Sequence, residues 1–357
     1  MDKVDLTVLC SGSALLDRFG RVVDLVRADG FNVTDELYTM VEGNEPINMA
    51  HTMANTVQLT ASALRHLQPD VIVTIADRYE TLGTATAAAY LGIPLVHIQG
   101  GEITGNIDER VRHAITKLSD LHLVSGNGAR NRLIRMGEHP DAVIVTGCPS
   151  IDLARESADI SIAAVQLETD KRGSGARVDL GGDYVIVMLH SETESYEDSF
   201  ERTKLTLSAV AALGLPMVVF WPNPDAGSDA ISKAIRLFRE QNNSCNSVYL
   251  KNIEGHLFLR LLQNARCLVG NSSVGIREGA YLGVPVVNIG DRQFGRDRAS
   301  NVIDANWDIG YLNAALHTQI NAPKYATSHL YGDGYAGAAI ARALITPFKY
   351  GKKRFYE

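Results

Sequence analysis

Acidic side chains follow two apolar runs in the first third of the chain. Asp77 comes directly after one run, Glu102 shortly after the next, and Asp108 within the following helical pattern. Carboxylates crowded in a partly dry site have pKa values that are pushed apart, so one can act as a base and another as an acid. The spacing therefore predicts proton-transfer chemistry. Further polar groups of this stretch that could donate protons or bind anions are Arg78, His97, Gln99, Arg112 and His113.

Metal binding is the alternative interpretation of the same carboxylates and histidines. These residues come from separate segments, without an HExxH motif or closely spaced histidines. The pattern therefore favours proton transfer, and we predict no metal site.

The segment GNSSVGIREGA, residues 270–280, carries a second kind of chemistry. Its apolar run ends at Gly270, and Ser272 and Ser273 stand where a helix is expected to begin. Free backbone N–H groups, the helix dipole and two hydroxyls at such a position suit a phosphate. Glu278, about one helical turn later, could accept hydrogen bonds from the two vicinal hydroxyls of a ribose. An ordinary capping motif, with Glu278 in a surface ion pair, is the alternative.

Three more polar residues follow apolar runs in the second half of the chain. They are His190 after YVIVML, Asn223 in WPNPDAGSD and Arg292 in GDRQFGRDR. Open α/β sheets bind ligands at the carboxyl ends of their strands, so each could contact a ligand. A structural histidine, a turn and a solvated basic loop are the respective alternatives. The sequence has no GxGxxG at a suitable place and no GxxxxGK[ST], which argues against a dinucleotide fingerprint and a P-loop.

These residues require a scaffold in which strands alternate with helices. Short apolar runs alternate with helical patterns of ten to fifteen residues, which predicts βαβ units and parallel sheets. The alternation weakens over 148–183, where glycines at 173–182 predict a linker. We therefore predict an α/β protein of two Rossmann-like doubly wound domains, 1–155 and 180–335, with a cleft between them. Less regular predictions are a helix over 15–28, a strand over 37–41 and a helix over 274–282.

Composition limits the possible partners and compartment. The net charge of −7 provides no general basic surface for nucleic acid. No apolar run approaches the ~18 residues that span a bilayer, and the N-terminus lacks a signal-peptide pattern. The four cysteines have no CxxC spacing, as expected of core thiols in a reducing compartment. We predict a cytoplasmic protein without nucleic-acid or membrane partners.

Several segments, in the same order over nearly the whole chain, resemble those of the hydrolysing UDP-N-acetylglucosamine 2-epimerases. They are VTIADRYE, VHIQGGEITGNIDERVRHAITKLSDLH, TGCPSID, FWPNPDAGSD, VGNSSVGIREGA, NIGDRQFGR and YGDG. The resemblance implies a glycosyltransferase-B type fold with the nucleotide sugar in the cleft. It also implies that a C-terminal helix, 336–357, crosses back to complete the first domain.

The reaction that the resemblance implies begins with removal of the proton at carbon 2 and anti elimination of UDP. Water then adds to the 2-acetamidoglucal and gives N-acetylmannosamine, without cofactor or metal. The implied catalytic residues are Asp77, Glu102 and Asp108, with individual roles left open. The implied UDP-sugar-binding residues are Arg78, His190, Asn223, Ser272, Ser273 and Glu278. The supporting residues are Gln99, Arg112, His113 and Arg292.

Other functions remain open within this resemblance. The same chemistry could act on a UDP-2,4-diacetamido-trideoxy sugar, or the chain could be a catalytically weak nucleotide-sugar-binding homologue. A glycosyltransferase of the same architecture fits less well, because such enzymes do not usually carry the HIQGGE…DERVRH stretch. The family also implies a homodimer or homotetramer.

The start of the sequence departs from the family pattern. The family usually has a strand, an arginine-containing loop and a helix before the segment that corresponds to DLTV, residues 5–8. Without them we expect unpaired strand edges, an uncovered apolar face and poor activity of the chain as written.

Overall fold

The computed structural model describes residues 4–43, 45–105, 107–192, 196–223, 227–242, 245–346 and 353–357. They form an α/β protein with parallel sheets in two compact units, as predicted for the fold class. Unit 1 comprises the described residues of Met1–Glu102, Ile107–Cys148 and Tyr335–Glu357. Unit 2 comprises those of Ile103–Asn106 and Pro149–Gly334.

The strands and helices are short and alternate along most of the chain. The strands are β1 Val8–Ser11, β2 Val33–Leu37, β3 Ile72–Ile75, β4 Leu95–Ile98, β5 Leu121–Val124, β6 Val143–Val145, β7 Ser174–Gly175, β8 Val185–Met188, β9 Met217–Phe220, β10 Ser247–Leu250, β11 Cys267–Gly270, β12 Val286–Ile289 and β13 Val302–Ala305. The α-helices are α1 Val22–Ala28, α2 Pro46–Leu67, α3 Tyr79–Leu91, α4 Ile107–Leu118, α5 Asn127–Arg135, α6 Pro149–Glu156, α7 Ile162–Arg172, α8 Ser199–Ala211, α9 Ser228–Gln241, α10 Gly255–Asn264, α11 Ser273–Ile276, α12 Glu278–Leu282, α13 Ile309–Asn321 and α14 Ala336–Ile345. Within the described ranges, no helix is both long and apolar enough to cross a bilayer.

Unit 1 contains a parallel sheet of order β3-β4-β5-β6 and a separate parallel pair, β1-β2. All residues of β4 and β5 are buried, as expected when helices cover both faces of a parallel sheet. Strand β3 differs, because Val73 is 40% exposed and Ile75 is 55% exposed. Among the described strands, β3 pairs only with β4 and β1 only with β2. In the part of unit 1 that the structure describes, β3 is therefore an edge strand of its sheet.

Unit 2 contains one sheet of order β13-β12-β11-β8-β9-β10-β7, parallel except for the antiparallel edge strand β7. The chain runs from β8 outward through β9 and β10, then returns to β11 on the other side of β8. The strand order therefore reverses between β8 and β11. Open α/β sheets bind their ligands outside the carboxyl ends of the strands at such a switch point.

Close approach of β11 to β8 requires glycine at position 270. Gly270 adopts φ +149°, and a Cβ atom there would lie 1.9 Å from the carbonyl oxygen of Met188. No side chain fits at that distance, so the glycine of the GNSS motif has a packing role in addition to its place in the loop.

Three predictions about local structure differ from the observed elements, one over 173–182 and two near the N-terminus. The glycine-rich segment 173–182 is not simply a linker, because Ser174–Gly175 forms the edge strand β7, which pairs with β10. The helix predicted over 15–28 is reduced to α1, with 3₁₀ turns before it, because Gly20 and Arg21 adopt left-handed conformations that interrupt the helix. The strand predicted over 37–41 lies earlier, at β2.

The helix predicted over 274–282 is also wrong, because it divides into α11 and α12. Arg277, with φ −92° and ψ −71°, separates them. Glu278 therefore begins a second helix and does not lie one turn inside the first. A helix of four residues such as α11 contributes little macrodipole, since the dipole sums over aligned peptide units.

The C-terminal residues pack on unit 1 through specific polar contacts. Helix α14 ends at Ile345, and the described residues 353–357 that follow are not helical. Farther along, Lys353 Nζ donates a hydrogen bond to Glu138 Oε2 at 2.6 Å. The Tyr356 N–H donates to the carbonyl oxygen of Gly137 at 2.9 Å. These contacts hold the end of the chain in place without helical structure.

Candidate functional site

The backbone turns sharply at the end of β3 and presents Asp77. Ala76 adopts φ +62°, a left-handed conformation that is uncommon for a residue with a Cβ atom and is often found at functional sites. His97 Nε2 lies 2.8 Å from the Ala76 carbonyl oxygen, and Thr116 Oγ1 lies 3.3 Å from His97 Nδ1. A carbonyl only accepts, so Nε2 carries the proton. His97 thus stabilises the turn.

The environment of His97 argues against the proposed proton-donor role. Burial lowers the pKa of His97 to about 4, so the ring is neutral near pH 7. Both of its nitrogens are already used in hydrogen bonds within unit 1. His97 is a structural residue that helps to aim Asp77.

A buried arginine from α4 joins two of the predicted catalytic residues. Arg112 is 1% exposed, and its Nε donates to Asp77 Oδ2 at 2.9 Å. Arg112 Nη2 donates to the same oxygen, and Nη1 donates to the Glu102 carbonyl oxygen at 2.6 Å. The planar guanidinium fork thereby fixes the side chain of Asp77 relative to the main chain of Glu102.

Glu102 is held by a residue that the sequence interpretation missed. Its side chain is buried, and Oε1 accepts a hydrogen bond from Ser125 Oγ at 2.9 Å. Ser125 directly follows β5, so it occupies the same kind of strand-end position that identified Asp77. This place at the end of an apolar run is the signal by which the sequence could have identified Ser125. The structure therefore adds Ser125 to the residues around the acidic group.

The other predicted residues of unit 1 lie on the same elements with different partners. Asp108 is half-buried in the first turn of α4, four residues before Arg112, and such a spacing places both on one helix face. Arg78 precedes α3, and its Nε lies 3.2 Å from Glu80 Oε2. Gln99 also adopts a left-handed conformation, with φ +65°, and its Nε2 donates to Cys148 Sγ. This hydrogen bond holds the Gln99 side chain against Cys148.

His113 is separate from the joined carboxylates. Its Nε2 lies 3.6 Å from Glu109 Oε1, one helical turn earlier on α4. Burial is the largest influence on His113 and lowers its pKa, while the nearby Glu109 carboxylate opposes the shift. The ring is therefore neutral near pH 7, consistent with support of the helix and not with anion binding.

His190 lies at the switch point of the sheet in unit 2, just after β8. It is largely buried, and its Nδ1 accepts a hydrogen bond from the main-chain N–H of Asn223 at 3.2 Å. That N–H can only donate, so the neutral ring carries its proton on Nε2. Asn223, three residues after the end of β9, contacts His190 through its main chain.

The loop after β11 brings the predicted serines and Glu278 together. Ser272 Oγ caps α11 by accepting from Val274 N at 3.5 Å, and Ser273 Oγ accepts from Arg277 Nη2 at 3.2 Å. Glu278 is 5% exposed, and its Oε2 lies 3.7 Å from Arg277 Nε in an ion pair but accepts no hydrogen bond from the described residues. Hydroxyls and backbone N–H groups remain able to bind an anion, although the short α11 weakens the helix-dipole contribution.

Further buried polar atoms without partners are found beside the same loop. Arg292 Nη1 donates to the carbonyl oxygen of Asn271 at 3.1 Å, and Gln293 Nε2 donates to it at 3.0 Å. Arg292 Nε and Gln293 Oε1 are buried without a hydrogen-bond partner among the residues that the structure describes. Unsatisfied buried polar atoms are rare in native structures, and a ligand that completes their hydrogen bonds is one explanation.

The arrangement separates two kinds of chemistry. In unit 1, Arg112 joins the Asp77 carboxylate to the main chain of Glu102, and these acidic residues suit proton transfer. Unit 2 holds donors and acceptors that suit an anion and its attached hydroxyls. Among the described residues, no group of three or more His, Cys, Asp or Glu side chains is placed to hold a metal ion.

The sequence matches the family model for UDP-N-acetylglucosamine 2-epimerase over residues 1–345. A Legionella pneumophila protein named UDP-N,N'-diacetylbacillosamine 2-epimerase (hydrolyzing) is 31% identical over 349 residues, which cover 97% of this chain and 89% of that protein. A Neisseria meningitidis protein named UDP-N-acetylglucosamine 2-epimerase is 27% identical over 331 residues, covering 93% and 84%.

Solved structures share the fold. The UDP-GlcNAc 2-epimerase of Methanocaldococcus jannaschii, in complex with UDP-GlcNAc and UDP, has a TM-score of 0.75 at 15% identity and covers 96% of this chain and 100% of its own. The UDP-GlcNAc 2-epimerase of Neisseria meningitidis, bound to UDP-GlcNAc, has a TM-score of 0.73 at 17% identity, with the same coverage. The predicted glycosyltransferase-B-like fold is thereby confirmed.

Proposed function

Because the chain belongs to the UDP-N-acetylglucosamine 2-epimerase family, we propose that it is an enzyme of the hydrolysing type. It converts UDP-N-acetylglucosamine and water to N-acetylmannosamine and UDP. The observation that carries the proposal is the pair of carboxylate residues, Asp77 and Glu102, joined through the buried Arg112. The family match supplies the substrate class, and the HIQGGE…DERVRH stretch favours the hydrolysing reaction.

The proposed reaction begins with proton transfer. A carboxylate of the group Asp77, Glu102 and Asp108 removes the proton from carbon 2 of the sugar. The electron pair of that C–H bond forms the C1–C2 double bond as the C1–O bond to UDP breaks in an anti elimination. The product is 2-acetamidoglucal, and water then adds its hydroxyl to C1. A proton returns to C2 on the opposite face, which inverts that centre.

Unit 2 supplies the proposed UDP site. His190 offers its Nε2–H to the diphosphate, and the loop of Ser272 and Ser273 offers hydroxyls and backbone N–H groups. Glu278 accepts from the ribose hydroxyls, which would satisfy its buried Oε2. Arg78, which belongs to unit 1, is a further proposed contact of the diphosphate. Asn223 is a further proposed contact of the UDP-sugar, and Arg292 supports the site. Gln99, Arg112 and His113 support the acidic residues of unit 1.

The wider organisation follows the same proposal. Unit 1 is the N-terminal Rossmann-like domain, to which the C-terminal helix contributes, and unit 2 is the UDP-binding domain. The enzyme assembles as a homodimer or homotetramer, acts in the cytoplasm, and requires neither cofactor nor metal.

One relative favours a second substrate. The Legionella pneumophila protein, at 31% identity over 97% of this chain, is named for a diacetylbacillosamine nucleotide. The same elimination and hydration on a UDP-2,4-diacetamido-trideoxy sugar would need the same carboxylates and the same UDP contacts. The two substrates differ only at carbons 4 and 6 of the sugar.

A direct assay tests the proposal and the choice of substrate. The protein is incubated with each UDP-sugar in D₂O, and the products are followed by NMR, with Asp77→Asn as the inactive control. We expect free UDP and a free 2-epimeric sugar with deuterium at carbon 2. An accumulation of UDP-N-acetylmannosamine alone would instead assign the non-hydrolysing reaction. Binding of UDP without any product would indicate a catalytically weak homologue.

A further inference from the structure

We propose that Asn271 is a positioning residue that fixes His190 for binding the diphosphate, an inference that rests on the proposed function. Asn271 is 1% exposed and directly follows β11 at the switch point of the sheet. Its Oδ1 accepts from the main-chain N–H of His190 at 2.7 Å. Its Nδ2 donates to the His190 carbonyl oxygen at 2.8 Å. One side-chain amide therefore satisfies both main-chain polar groups of His190.

These two hydrogen bonds matter because His190 lies two residues beyond the end of β8. Strand β8 ends at Met188, so the main chain of His190 lies outside the sheet. Its orientation, and with it that of the ring, depends on other contacts. The Asn271 amide takes the place of a neighbouring strand there. The Asn223 N–H then fixes the ring and its tautomer through Nδ1. Together the three hydrogen bonds fix the position from which Nε2–H donates.

The same residue also holds a second member of the proposed phosphate site. The Asn271 carbonyl oxygen accepts from Arg292 Nη1 at 3.1 Å and from Gln293 Nε2 at 3.0 Å. Residues after β8, β11 and β12 thus meet at Asn271. The main-chain N–H and carbonyl of His190 require one acceptor and one donor on the same short side chain, and an asparagine amide provides both. Aspartate keeps the size but places a carboxylate oxygen against the His190 carbonyl.

The competing explanation is that Asn271 has only a general structural role, and Gln319 provides a matched control for it. Gln319 is fully buried in unit 2, and its Nε2 also donates to two main-chain carbonyl oxygens, those of Val286 and Asn301, at 2.9 Å each. Gln319→Glu makes the same amide-to-carboxylate change as Asn271→Asp, away from His190. Both variants should lose stability, whereas only Asn271→Asp should weaken UDP binding in the folded fraction.

The decisive experiment is a double-mutant cycle read by calorimetric UDP binding. Asn271→Asp should raise the Kd for UDP about tenfold, the consequence of losing one well-aligned hydrogen bond to the phosphate. In a His190→Ala background the same substitution should change Kd less than twofold. KM should follow Kd, with kcat changed much less. Equal effects of Asn271→Asp in both backgrounds would overturn the positioning role.

Histidine ¹⁵N NMR gives a readout that requires neither turnover nor UDP binding. In the wild-type protein the His190 ring should show the Nε2–H tautomer, and Asn271→Asp should shift its signals while Gln319→Glu leaves them unchanged. An unshifted His190 signal in folded Asn271→Asp, or an Nδ1–H tautomer in the wild type, contradicts the inference. A wild-type protein that binds no UDP but shows the expected tautomer and shifts would instead refute the proposed function alone.

Discussion

Replacement of Glu138 by glutamine should destabilise unit 1 by about 3 kcal/mol at pH 7. Glu138 is buried, and three donors surround its carboxylate. Lys117 Nζ lies 2.7 Å from Oε1, while His122 Nε2 and Lys353 Nζ lie 2.8 and 2.6 Å from Oε2. Glutamine keeps the shape but removes the charge that compensates the buried Lys353.

The magnitude follows from the pKa of Glu138. Burial alone would raise it, but the hydrogen bonds from the three donors outweigh burial and lower the pKa from 4.5 to about 2. A difference of about 2.5 pKa units between the folded and unfolded chains corresponds to about 3 kcal/mol of stability. Breaking a buried ion pair typically costs about the same, ~3–5 kcal/mol. Lys117, whose side chain is 40% exposed, contributes the smaller part.

The sign of the pH dependence is fixed by the direction of that shift. A carboxylate with a lowered pKa in the folded state stabilises the protein fully above pH 4.5, and this stabilisation is lost as the pH falls towards 2. By pH 3.5 about 1.4 kcal/mol should be gone from the wild type. Burial also lowers the pKa of His122, so its protonation destabilises the fold further below pH 6.5.

The assay is urea unfolding at pH 7, with hydrogen exchange of α4 and α5 to assign the transition to unit 1. The matched control is Glu168→Gln, which removes an exposed helical ion pair with Arg172 and should change stability by less than about 1 kcal/mol. Release of the C-terminal tail should accompany the loss, seen as faster exchange of the Tyr356 amide. Equal unfolding midpoints for Glu138→Gln and Glu168→Gln would refute this account of the cluster.

Three further predictions concern the site and its sheet. Arg112→Lys should lower kcat about 10²-fold, because a single ammonium cannot bridge Asp77 and the Glu102 carbonyl; unchanged steady-state turnover would contradict the bridge. Ser125→Ala should lower kcat about tenfold, with Ser125→Thr restoring it, and a loss confined to KM would argue against its hold on the Glu102 carboxylate. Gly270→Ala should lower the stability of unit 2 by about 3 kcal/mol in urea unfolding, since a Cβ atom meets a carbonyl oxygen at 1.9 Å; a smaller loss than for an exposed substitution would contradict the packing.

Much of the fold could be predicted from the sequence because parallel strands are buried and their apolar runs are conspicuous. The runs that form β4 and β5 are examples, and the ends of such runs point to Asp77 and Glu102 through residue order alone. Boundaries without such a signal were predicted poorly. Glycines at 173–182 indicated a linker, yet Ser174–Gly175 pairs with β10, because a partner strand distant in sequence overrides local flexibility.

The pKa of His97 shows why the residue type alone could not predict the role of this histidine. A histidine beside carboxylates suggests proton transfer, and its residue type cannot reveal the surroundings of the ring. Complete burial, which lowers its pKa to about 4, and hydrogen bonds with Ala76 and Thr116 decide that it is structural. The chemistry of a titratable group is set by its environment.

The family, the α/β class and the types of residue at each strand end can be recognised from the sequence, since these depend on local patterns and on motifs in a fixed order. Tertiary structure alone decided which of those residues meet. Asn271 and His190 are 81 residues apart in the chain, and Ser125 and Glu102 are 23 apart. Their contacts depend on the order of strands in a sheet, which brings β11 beside β8 and β5 beside β4. Hydrogen bonds act over about 3 Å, so only the folded arrangement could assign Asn271 and Ser125 their places.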